Sequence, residues 1–348
     1  MTSERAARGI GLISGGLDST LAAALLKEMG VELHGLHFST GFCKTEHRRA
    51  IQDPRQDPTR LRNTALRAGA IVGFPVTLVD VAQAYLEVVK NPRYGYGANV
   101  NPCIDCRIFM LRKARLVMLE EKADFVFTGE VLGQRPMSQY KQALRLVEKQ
   151  SGLEGRLLRP LSAHFLPATQ VETQGLLHRA HLLAIQGRSR KAQIRLAAEL
   201  GIHEYDQPSG GCCYLADASF ARRFRDLVKH SPEGQIGTRE TTLLKVGRHF
   251  RISGSVKMIA GRNEGENEFL ERFCGGHWSF SPGDGAGALC LCIGEPADRE
   301  KMLMAALAAR YSKHRDEPEV AIMATRNGVR HELRVAPAGE ETVLRYRL

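Results

Sequence analysis

The sequence predicts an α/β fold: a parallel twisted sheet with helices on both faces, followed by a smaller α+β domain. Over the first part of the chain, to about residue 165, short apolar runs of strand length alternate with helical patterns, which is typical of a parallel sheet. After residues 231–234 (Ser-Pro-Glu-Gly) the pattern changes to short alternating apolar segments with many glycines. This change indicates a second domain of mixed strands and helices.

The first domain begins with a strand, a glycine turn and a helix. The apolar run 9–13 leads into two adjacent glycines, and an Ala/Leu-rich helical pattern continues from there to residue 27 or 29. Asn-Gly between two late apolar segments predicts a hairpin. The remaining predicted elements are strands at 33–38, 75–79, 125–128 and 157–161, helices at 58–70, 192–200 and 297–311, and hairpin strands at 320–325 and 331–335 around Arg326-Asn327-Gly328.

We expect three segments along the chain of 348 residues, which exceeds the usual size of one domain. Residues 1–165 form the α/β domain. Residues 166–232 form a basic helical segment that packs on the first domain. Residues 233–348 form the C-terminal domain.

The chain is basic, because Lys plus Arg number 49 and Asp plus Glu 38, for a net charge of +11. Such an excess favours a polyanionic partner, although a basic enzyme without one fits as well. Met1–Arg8 is charged and no segment approaches the ~20 apolar residues of a membrane span. Eight Cys without an export signal indicate reduced thiols, so we expect a cytoplasmic protein with no membrane contact.

The segment 14–19 (Ser-Gly-Gly-Leu-Asp-Ser) joins the first strand to the first helix. Backbone N–H groups at such a junction, with the positive end of the helix dipole behind them, suit phosphate oxygens. The Walker spacing with its Lys is missing, and so is a complete G-x-G-x-x-G. The segment therefore predicts a phosphate site of another kind, and a tight structural turn is the alternative.

This hexapeptide resembles the S-G-G-x-D-S loop of the PP-loop ATP-pyrophosphatases, a HUP-like α/β family. That resemblance implies ATP as cofactor and its cleavage between the alpha and beta phosphates. It also implies a catalytic role for Asp18 near Mg²⁺. The pyrophosphate pocket implied by the resemblance is lined by Ser14, Gly15, Gly16, Asp18 and Ser19.

A second motif, Thr128-Gly129-Glu130-Val131-Leu132-Gly133-Gln134, follows a predicted buried strand. It therefore lies at the carboxyl edge of the sheet, where open α/β folds bind ligands. The motif resembles the T-G-E-x-L-G-Q segment of tRNA 4-thiouridine synthetases, and this resemblance assigns Thr128, Gly129 and Gln134 to the nucleotide site. The sequence departs from that pattern after residue 134, where Arg-Pro-Met intervenes.

Two cysteine groups are candidates for chemistry. Cys103 and Cys106 lie in the first turn of a predicted helix that runs to about residue 121, where the helix dipole stabilises a thiolate. Cys212 and Cys213 lie in a glycine-rich loop. The resemblance to PP-loop thiolation enzymes implies either a 4Fe-4S cluster on Cys103, Cys106 and Cys212 or a persulfide and disulfide pair of Cys106 and Cys212. Structural zinc is the alternative, and Cys213 is taken as a bystander.

The other cysteines carry weaker signals. Cys43 follows the second strand closely enough to reach the site. Cys274, Cys290 and Cys292 lie in apolar segments of the C-terminal domain, so we expect buried structural thiols there.

Basic residues on predicted helices are candidates for binding RNA phosphates. We select Arg188, Arg190, Lys191 and Arg222, although each group also fits a solvated helix face. Gly261-Arg262-Asn263 with the following Asn267 resembles a stretch of the NFACT-type RNA-binding domain. The combination of a PP-loop domain with such a module resembles the ThiI-like proteins of tRNA thiolation.

The resemblance implies an ATP-dependent tRNA sulfurtransferase that adenylates a base carbonyl and replaces its oxygen with sulfur. Its partners are then tRNA and a sulfur donor, either sulfide or a persulfide carrier. One alternative is a PP-loop enzyme that adenylates a small molecule. The other is a non-catalytic RNA-binding protein, which the intact segment 14–19 disfavours. The modified base and the donor stay open.

Overall fold

The computed structural model divides into two compact units. One contains the N-terminal part of the chain through Cys213, and the other contains Tyr214–Leu348 with residues 47–56. Cys212 and much of the predicted helix 58–70 lie outside the described residues. The structure describes residues 5–44, 47, 63–205, 213–232 and 236–348.

The first unit is built on a parallel sheet with the strand order β3-β2-β1-β4-β5. β1 pairs in parallel with β2 on one side and with β4 on the other. The strand order therefore reverses at β1, and ligands of open α/β sheets bind beside the carboxyl end of such a strand. The strands are β1 (Arg8–Leu12), β2 (Glu32–Ser39), β3 (Val76–Asp80), β4 (Phe125–Thr128) and β5 (Leu157–Leu158).

Helices cover both faces of this sheet, which confirms the predicted fold class. One apolar core joins α1 to the rings of Phe125 and Phe127, and a second joins Ile10 and Val126 to α4. The helices are α1 (Leu17–Glu28), α2 (Thr64–Val72), α3 (Ala82–Lys90), α4 (Cys103–Glu120), α5 (Lys141–Ser151), α6 (Gln170–Thr173) and α7 (Lys191–Glu199).

Glycine in β1 makes room for aromatic rings of the neighbouring strand. A Cβ at Gly9 would lie 2.8 Å from the ring of Phe125, and one at Gly11 would lie 2.3 Å from the ring of Phe127. The aromatic rings of β4 therefore pack directly on the backbone of β1.

The predicted strand at 157–161 is too long. Only Leu157–Leu158 pairs with β4, and a 3₁₀ turn begins at Pro160. Proline has no N–H to donate to a strand ladder, so the pairing ends before it.

The second unit contains an antiparallel sheet with the order β11-β10-β8-β9-β7-β6. The predicted hairpin is confirmed: β10 and β11 pair across Asn327 and Gly328, both of which have positive φ (49° and 82°) as a type I′ turn requires. Its elements are α8 (Ala218–His230), α9 (Thr238–Leu243), β6 (Arg248–Arg251), β7 (Lys257–Ala260), α10 (Glu264–Glu271), β8 (Ser279–Pro282), β9 (Cys290–Ile293), α11 (Asp298–Arg310), β10 (Val320–Arg326), β11 (Val329–Val335) and α12 (Glu340–Tyr346).

The predicted middle segment, 166–232, is divided between the two units. Its first part, which includes α7, belongs to the first unit, whereas α8 belongs to the second. The reason is a buried ion cluster: Asp226 of α8 accepts hydrogen bonds from Arg251 and from Lys257 at 3.0 Å. Among the residues that the structure describes, no helix is long and apolar enough to cross a membrane.

Candidate functional site

The loop between β1 and α1 requires glycine at its centre. Gly15 has φ +77°, and a Cβ there would lie 2.4 Å from the carbonyl carbon of Thr64 in α2. A side chain at this position would therefore face both backbone strain and a collision with backbone atoms. The loop is held close to the start of α2 as a result.

The two serines of the loop fix its shape from within. The Ser14 and Ser19 hydroxyls lie 3.1 Å apart, and Ser19 Oγ donates to the Gly16 carbonyl at 3.0 Å. The Gly16 N–H donates a hydrogen bond to Ser14 Oγ at 3.3 Å. Among the described residues no side chain caps the N terminus of α1, whose N-cap residue is Gly16. The first-turn N–H groups and the helix dipole are thus available to an anion.

Asp18 is held by one oxygen only. Its Oδ2 accepts a hydrogen bond from Gln134 Nε2 at 2.6 Å. Its Oδ1 is buried and has no hydrogen-bond partner in the described part of the chain. A buried carboxylate oxygen without a donor is costly unless a ligand or cation satisfies it.

Gln193 extends this contact and was missed by the sequence analysis. Its Nε2 donates to Gln134 Oε1 at 2.9 Å, and the whole side chain is buried on α7. Gln193 and Ala197 are the buried residues of that helix. Gln193 lies four positions before Ala197 and therefore on the same face of the helix. A polar residue on a buried face indicates a specific hydrogen bond.

The Thr-Gly-Glu motif after β4 touches the start of α1. A Cβ at Gly129 would lie 2.4 Å from the carbonyl carbon of Asp18, so only glycine permits this approach. Thr128 turns toward Glu130, to which its Oγ1 donates at 3.2 Å. The motif and the glycine loop therefore meet at one edge of the sheet.

Glu130 is the centre of a buried ion cluster. Its Oε2 accepts from Arg159 Nε at 3.1 Å, and its Oε1 lies 3.4 Å from Arg107 Nε. Burial acts to raise the pKa of Glu130, but the positive charges of Arg107 and Arg159 outweigh it and hold that pKa below its ordinary value. Arg107 follows Cys106 on α4. The ion cluster therefore connects the Thr-Gly-Glu motif to the helix that carries Cys103 and Cys106.

The buried Tyr85 side chain lies close to the Cys106 thiol. The Tyr85 side chain is buried and shares a hydrogen bond with the Cys106 thiol; burial first, then Cys106, and more weakly Cys213 and Cys103, raise the pKa of Tyr85. Cys213 is also brought to Cys43 by an isolated antiparallel bridge. Cys213, the expected bystander, therefore lies on the Tyr85 side of the first unit, where Cys106 also lies.

The position of Cys103 in the first turn of α4 does not give its thiol a lowered pKa. Burial raises the pKa of this thiol, and the charges of Arg107 and Arg135 oppose the increase without reversing it. Desolvation of a thiolate inside the protein therefore exceeds the effect of the first helical turn.

The predicted metal set of Cys103, Cys106 and Cys212 stays a prediction, because Cys212 lies outside the described residues. Within residues 5–44, 47, 63–205, 213–232 and 236–348, no three His, Cys, Asp or Glu side chains come together in a way that could hold a metal ion.

Of the cysteines in the second unit, Cys290 and Cys292 are buried as predicted, whereas Cys274 is half-buried. Burial raises the pKa of Cys290 and of Cys292 to about 12, and it also raises the pKa of Cys274. A thiol of this kind is protonated at neutral pH and unreactive.

The four predicted RNA-binding residues fall in both units. In the first unit, Arg188 is exposed and Arg190 is half-buried just before α7, and Lys191 is exposed at the first position of that helix. Arg222 is exposed on α8 of the second unit.

The first unit has a parallel sheet that reverses its order at β1 and a glycine-rich loop at the uncapped start of α1, which are the features of a PP-loop type α/β domain. Residues 4–164 match the family described as thiamine biosynthesis protein (ThiI), and residues 247–347 match the NFACT protein RNA-binding domain. The chain therefore carries a ThiI-type PP-loop domain at its N-terminal end and an NFACT-type RNA-binding domain at its C-terminal end.

The chain is also similar to curated tRNA-specific 2-thiouridylases named MnmA. The relative from Methylobacterium nodulans is 26% identical over 253 residues, which cover 70% of this chain and 60% of the relative. The one from Streptomyces griseus is 29% identical over 285 residues, covering 76% and 67%. Among solved structures, a 4-thiouridine synthetase in complex with RNA and ATP matches 56% of this chain and 52% of its own, with 20% identity and a TM-score of 0.33.

Proposed function

We propose that this protein is an ATP-dependent tRNA sulfurtransferase. A base carbonyl oxygen attacks the alpha phosphorus of ATP, the bond to the beta phosphate breaks, and pyrophosphate leaves. Sulfur then adds to the activated carbon and AMP departs. The observation that carries this proposal is the glycine loop at the open N terminus of α1, with the unpartnered Asp18 Oδ1 beside it.

The glycine loop is suited to hold the departing pyrophosphate. Its N–H groups and the dipole of α1 are preorganised by the hydrogen bonds between Ser14, Ser19 and Gly16, so they stabilise developing charge without rearranging. If the loop binds the beta and gamma phosphates, it stabilises them as the leaving group and favours cleavage between the alpha and beta phosphates.

Asp18 fits a role as a ligand of Mg²⁺. Its Oδ1 is buried without a donor while Gln134 holds its Oδ2, and Mg²⁺ usually binds proteins through one or two carboxylates together with phosphate oxygens and water. When bound, the ion would neutralise charge on the pyrophosphate. The amide of Gln134, itself oriented by Gln193, would keep the carboxylate aimed at the phosphates.

The cysteines around Tyr85 supply the sulfur chemistry in this proposal. If the donor is sulfide, it displaces AMP directly. If a persulfide is formed on one cysteine, its terminal sulfur displaces AMP, and the thiolate of a second cysteine then attacks the enzyme-bound sulfur. This releases the thiocarbonyl, leaves a disulfide on the enzyme, and requires an external thiol as reductant. Cys106 is one member of the pair, and the other is either Cys212, as first predicted, or Cys213, which like Cys106 influences Tyr85.

The two chemical steps require their residues to lie near each other. Gly129 packs against Asp18, the next residue is Glu130, and Glu130 pairs with Arg107 beside Cys106. This short series of contacts supports a single site in which adenylation and sulfur transfer act on the same base.

The proposed partner is tRNA. The NFACT-type domain, the tRNA-modifying activity in the names of the curated relatives and the net charge of +11 support this assignment. In the first unit, tRNA phosphates would be contacted by Arg188, Arg190 and Lys191. In the second unit, a phosphate would be contacted by Arg222.

Incubation of the protein with ATP, Mg²⁺, sulfide and tRNA from a strain that lacks this gene, followed by mass spectrometry of the nucleosides, tests the proposal. We expect a thiolated base and AMP in equal amounts. Asp18→Asn should abolish both products, because it keeps the shape of the side chain but removes its charge. AMP formation that depends on a small molecule and not on tRNA would favour the alternative enzyme.

Single substitutions of the cysteines separate the two steps. With a persulfide donor, Cys106→Ser should retain tRNA-dependent release of pyrophosphate and lose thiolation, because AMP departs only when sulfur adds to the base. Between Cys212→Ala and Cys213→Ala, the variant that loses thiolation identifies the second cysteine, and full thiolation in both would reject the cysteine pair. Anaerobic purification with a visible spectrum and iron analysis distinguishes the pair from a 4Fe-4S cluster.

A further inference from the structure

A cavity of about 320 Å³ in the second unit is lined by arginines from three separate elements. α8 contributes Arg222 and Arg223, β6 contributes Arg248, and the residue after α12 is Arg347. Ser219, in the first turn of α8, adds a hydroxyl to the wall. A cavity with this lining is suited to an anion.

Two of the guanidinium groups are held in place by the protein. Arg223 Nη1 donates to the Leu244 carbonyl at 2.9 Å. Arg248 Nη1 donates to the Gly261 carbonyl at 3.3 Å, and its guanidinium lies 4.7 Å from the ring centre of Tyr311. The orientation of both groups is therefore fixed before any ligand arrives, which reduces the entropy lost on binding.

The chain after α12 is also fixed beside β6. Arg347 forms an isolated antiparallel bridge with Phe250, and the Leu348 N–H donates to the His249 carbonyl at 2.9 Å. These backbone contacts bring Arg347 to Arg248, although the two residues are far apart in the sequence. The convergence of the four arginines is thus a property of the fold.

The arginines of this cavity lack ion-pair partners among the described side chains. Among the described residues, none of the four arginines forms a salt bridge, whereas the nearby Arg262 is paired with Glu266. Arg223 Nε is buried and has no hydrogen-bond acceptor within the described ranges. Burial first, and then the positive charges of Arg262 and Arg347, lower the pKa of Arg223 to about 10 despite Asp217 and Glu266. A bound anion would relieve both the repulsion and the missing acceptor.

The matched families do not assign this cavity. The matches cover residues 4–164 and 247–347, and α8 lies between them. Arg222 and Arg223 are therefore contributed by the connecting part of this chain to a cavity whose other wall belongs to the RNA-binding domain.

We propose that this cavity binds a phosphodiester phosphate of the tRNA, an inference that rests on the proposed function in taking tRNA as the partner. Guanidinium groups form forked, charge-assisted hydrogen bonds with phosphate oxygens, and Arg is favoured over Lys where such geometry is needed. Several guanidinium groups in one cavity select a phosphate at a defined position along the RNA backbone. The cavity would then set where the tRNA lies on the second unit.

The test measures binding of tRNA to the full chain by fluorescence anisotropy at several salt concentrations. The double variant Arg222→Gln/Arg347→Gln removes two exposed guanidinium groups from the cavity, so the fold should persist with an unchanged unfolding midpoint. Arg330→Gln/Arg345→Gln is the matched control, because both residues are exposed, belong to the same unit and do not line the cavity.

We expect the cavity variant to bind tRNA about tenfold more weakly or worse, with the slope of log K against log salt reduced by about two. The control should change affinity by less than about twofold. Equal loss in the two variants, or no loss in the cavity variant, would overturn this inference and leave the proposed function intact, since ATP cleavage and thiolation are measured separately. A wild-type chain that does not bind tRNA would overturn both.

Discussion

Substitution of Gly15 by Ala tests the geometry of the glycine loop, and Gly30→Ala provides a matched comparison. Both glycines have nearly the same positive φ, +77° and +78°. Left-handed backbone costs an Ala about 1–2 kcal/mol relative to Gly, so both variants should lose about that much free energy of unfolding. The two variants differ in the surroundings of the new Cβ. At position 15 it would lie 2.4 Å from the backbone of Thr64, whereas at position 30 no atom lies within 4 Å.

The collision at Gly15 cannot be relieved by a side chain, because the atom concerned is the carbonyl carbon at the start of α2. The loop must therefore move by about 1 Å, and a displacement of this size in a catalytic site can reduce the rate about 100-fold. We expect Gly15→Ala to lose that much tRNA-dependent AMP formation at saturating ATP, and Gly30→Ala to retain the wild-type rate.

Urea unfolding of both variants reports the free energy of unfolding, and release of AMP from labelled ATP reports activity. Equal activity in Gly15→Ala and the wild-type protein would contradict the reasoning, since it would mean that the loop does not position a phosphate. Equal loss in both variants would attribute the effect to backbone strain instead.

Three further predictions follow from the buried groups. Gln193→Leu leaves the Gln134 amide oxygen without a donor, so we expect a loss of about 1–3 kcal/mol in urea unfolding together with slower AMP formation; unchanged values for both would remove Gln193 from the site. Glu130→Gln should lower the free energy of unfolding at neutral pH by at most about 3–5 kcal/mol, because it removes the carboxylate that buried Arg159 shares with half-buried Arg107, while Arg159 keeps its salt bridge to Glu148. Since the folded pKa of Glu130 is lowered, its stabilisation is present above about pH 4.3 and is lost as the pH falls further, so acid titration of unfolding should be flatter in the variant. Cys290 and Cys292, whose pKa values burial raises to about 12, should resist alkylation in the native protein at pH 8 and react only after denaturation, as mass spectrometry of the labelled peptides can determine.

The parts of the fold that local sequence determines were predicted well. β4 lies at the predicted residues, and the glycine turn between β1 and α1 and the Asn-Gly hairpin follow from residues with special backbone freedom. The length of β5 was not predicted correctly, because the apolar pattern was followed past Pro160, whose missing N–H ends the strand ladder.

The contacts that complete the site are not local. Gln193 donates to Gln134, which lies 59 residues earlier in the chain, and Tyr85 is influenced by Cys106 and by the distant Cys213. Arg222 was predicted as an RNA contact, but its association with Arg347 arises only when the end of the chain lies along β6. Pairings of this kind require the tertiary fold, which periodicity and spacing do not specify.

Product analysis with ATP labelled at the alpha phosphate, with and without tRNA, is the most direct measurement of the central claim that the loop at Gly15 and Gly16 holds a departing pyrophosphate. The account predicts that the label appears as AMP in a tRNA-dependent reaction and that Asp18→Asn yields none. Label recovered as ADP would contradict it.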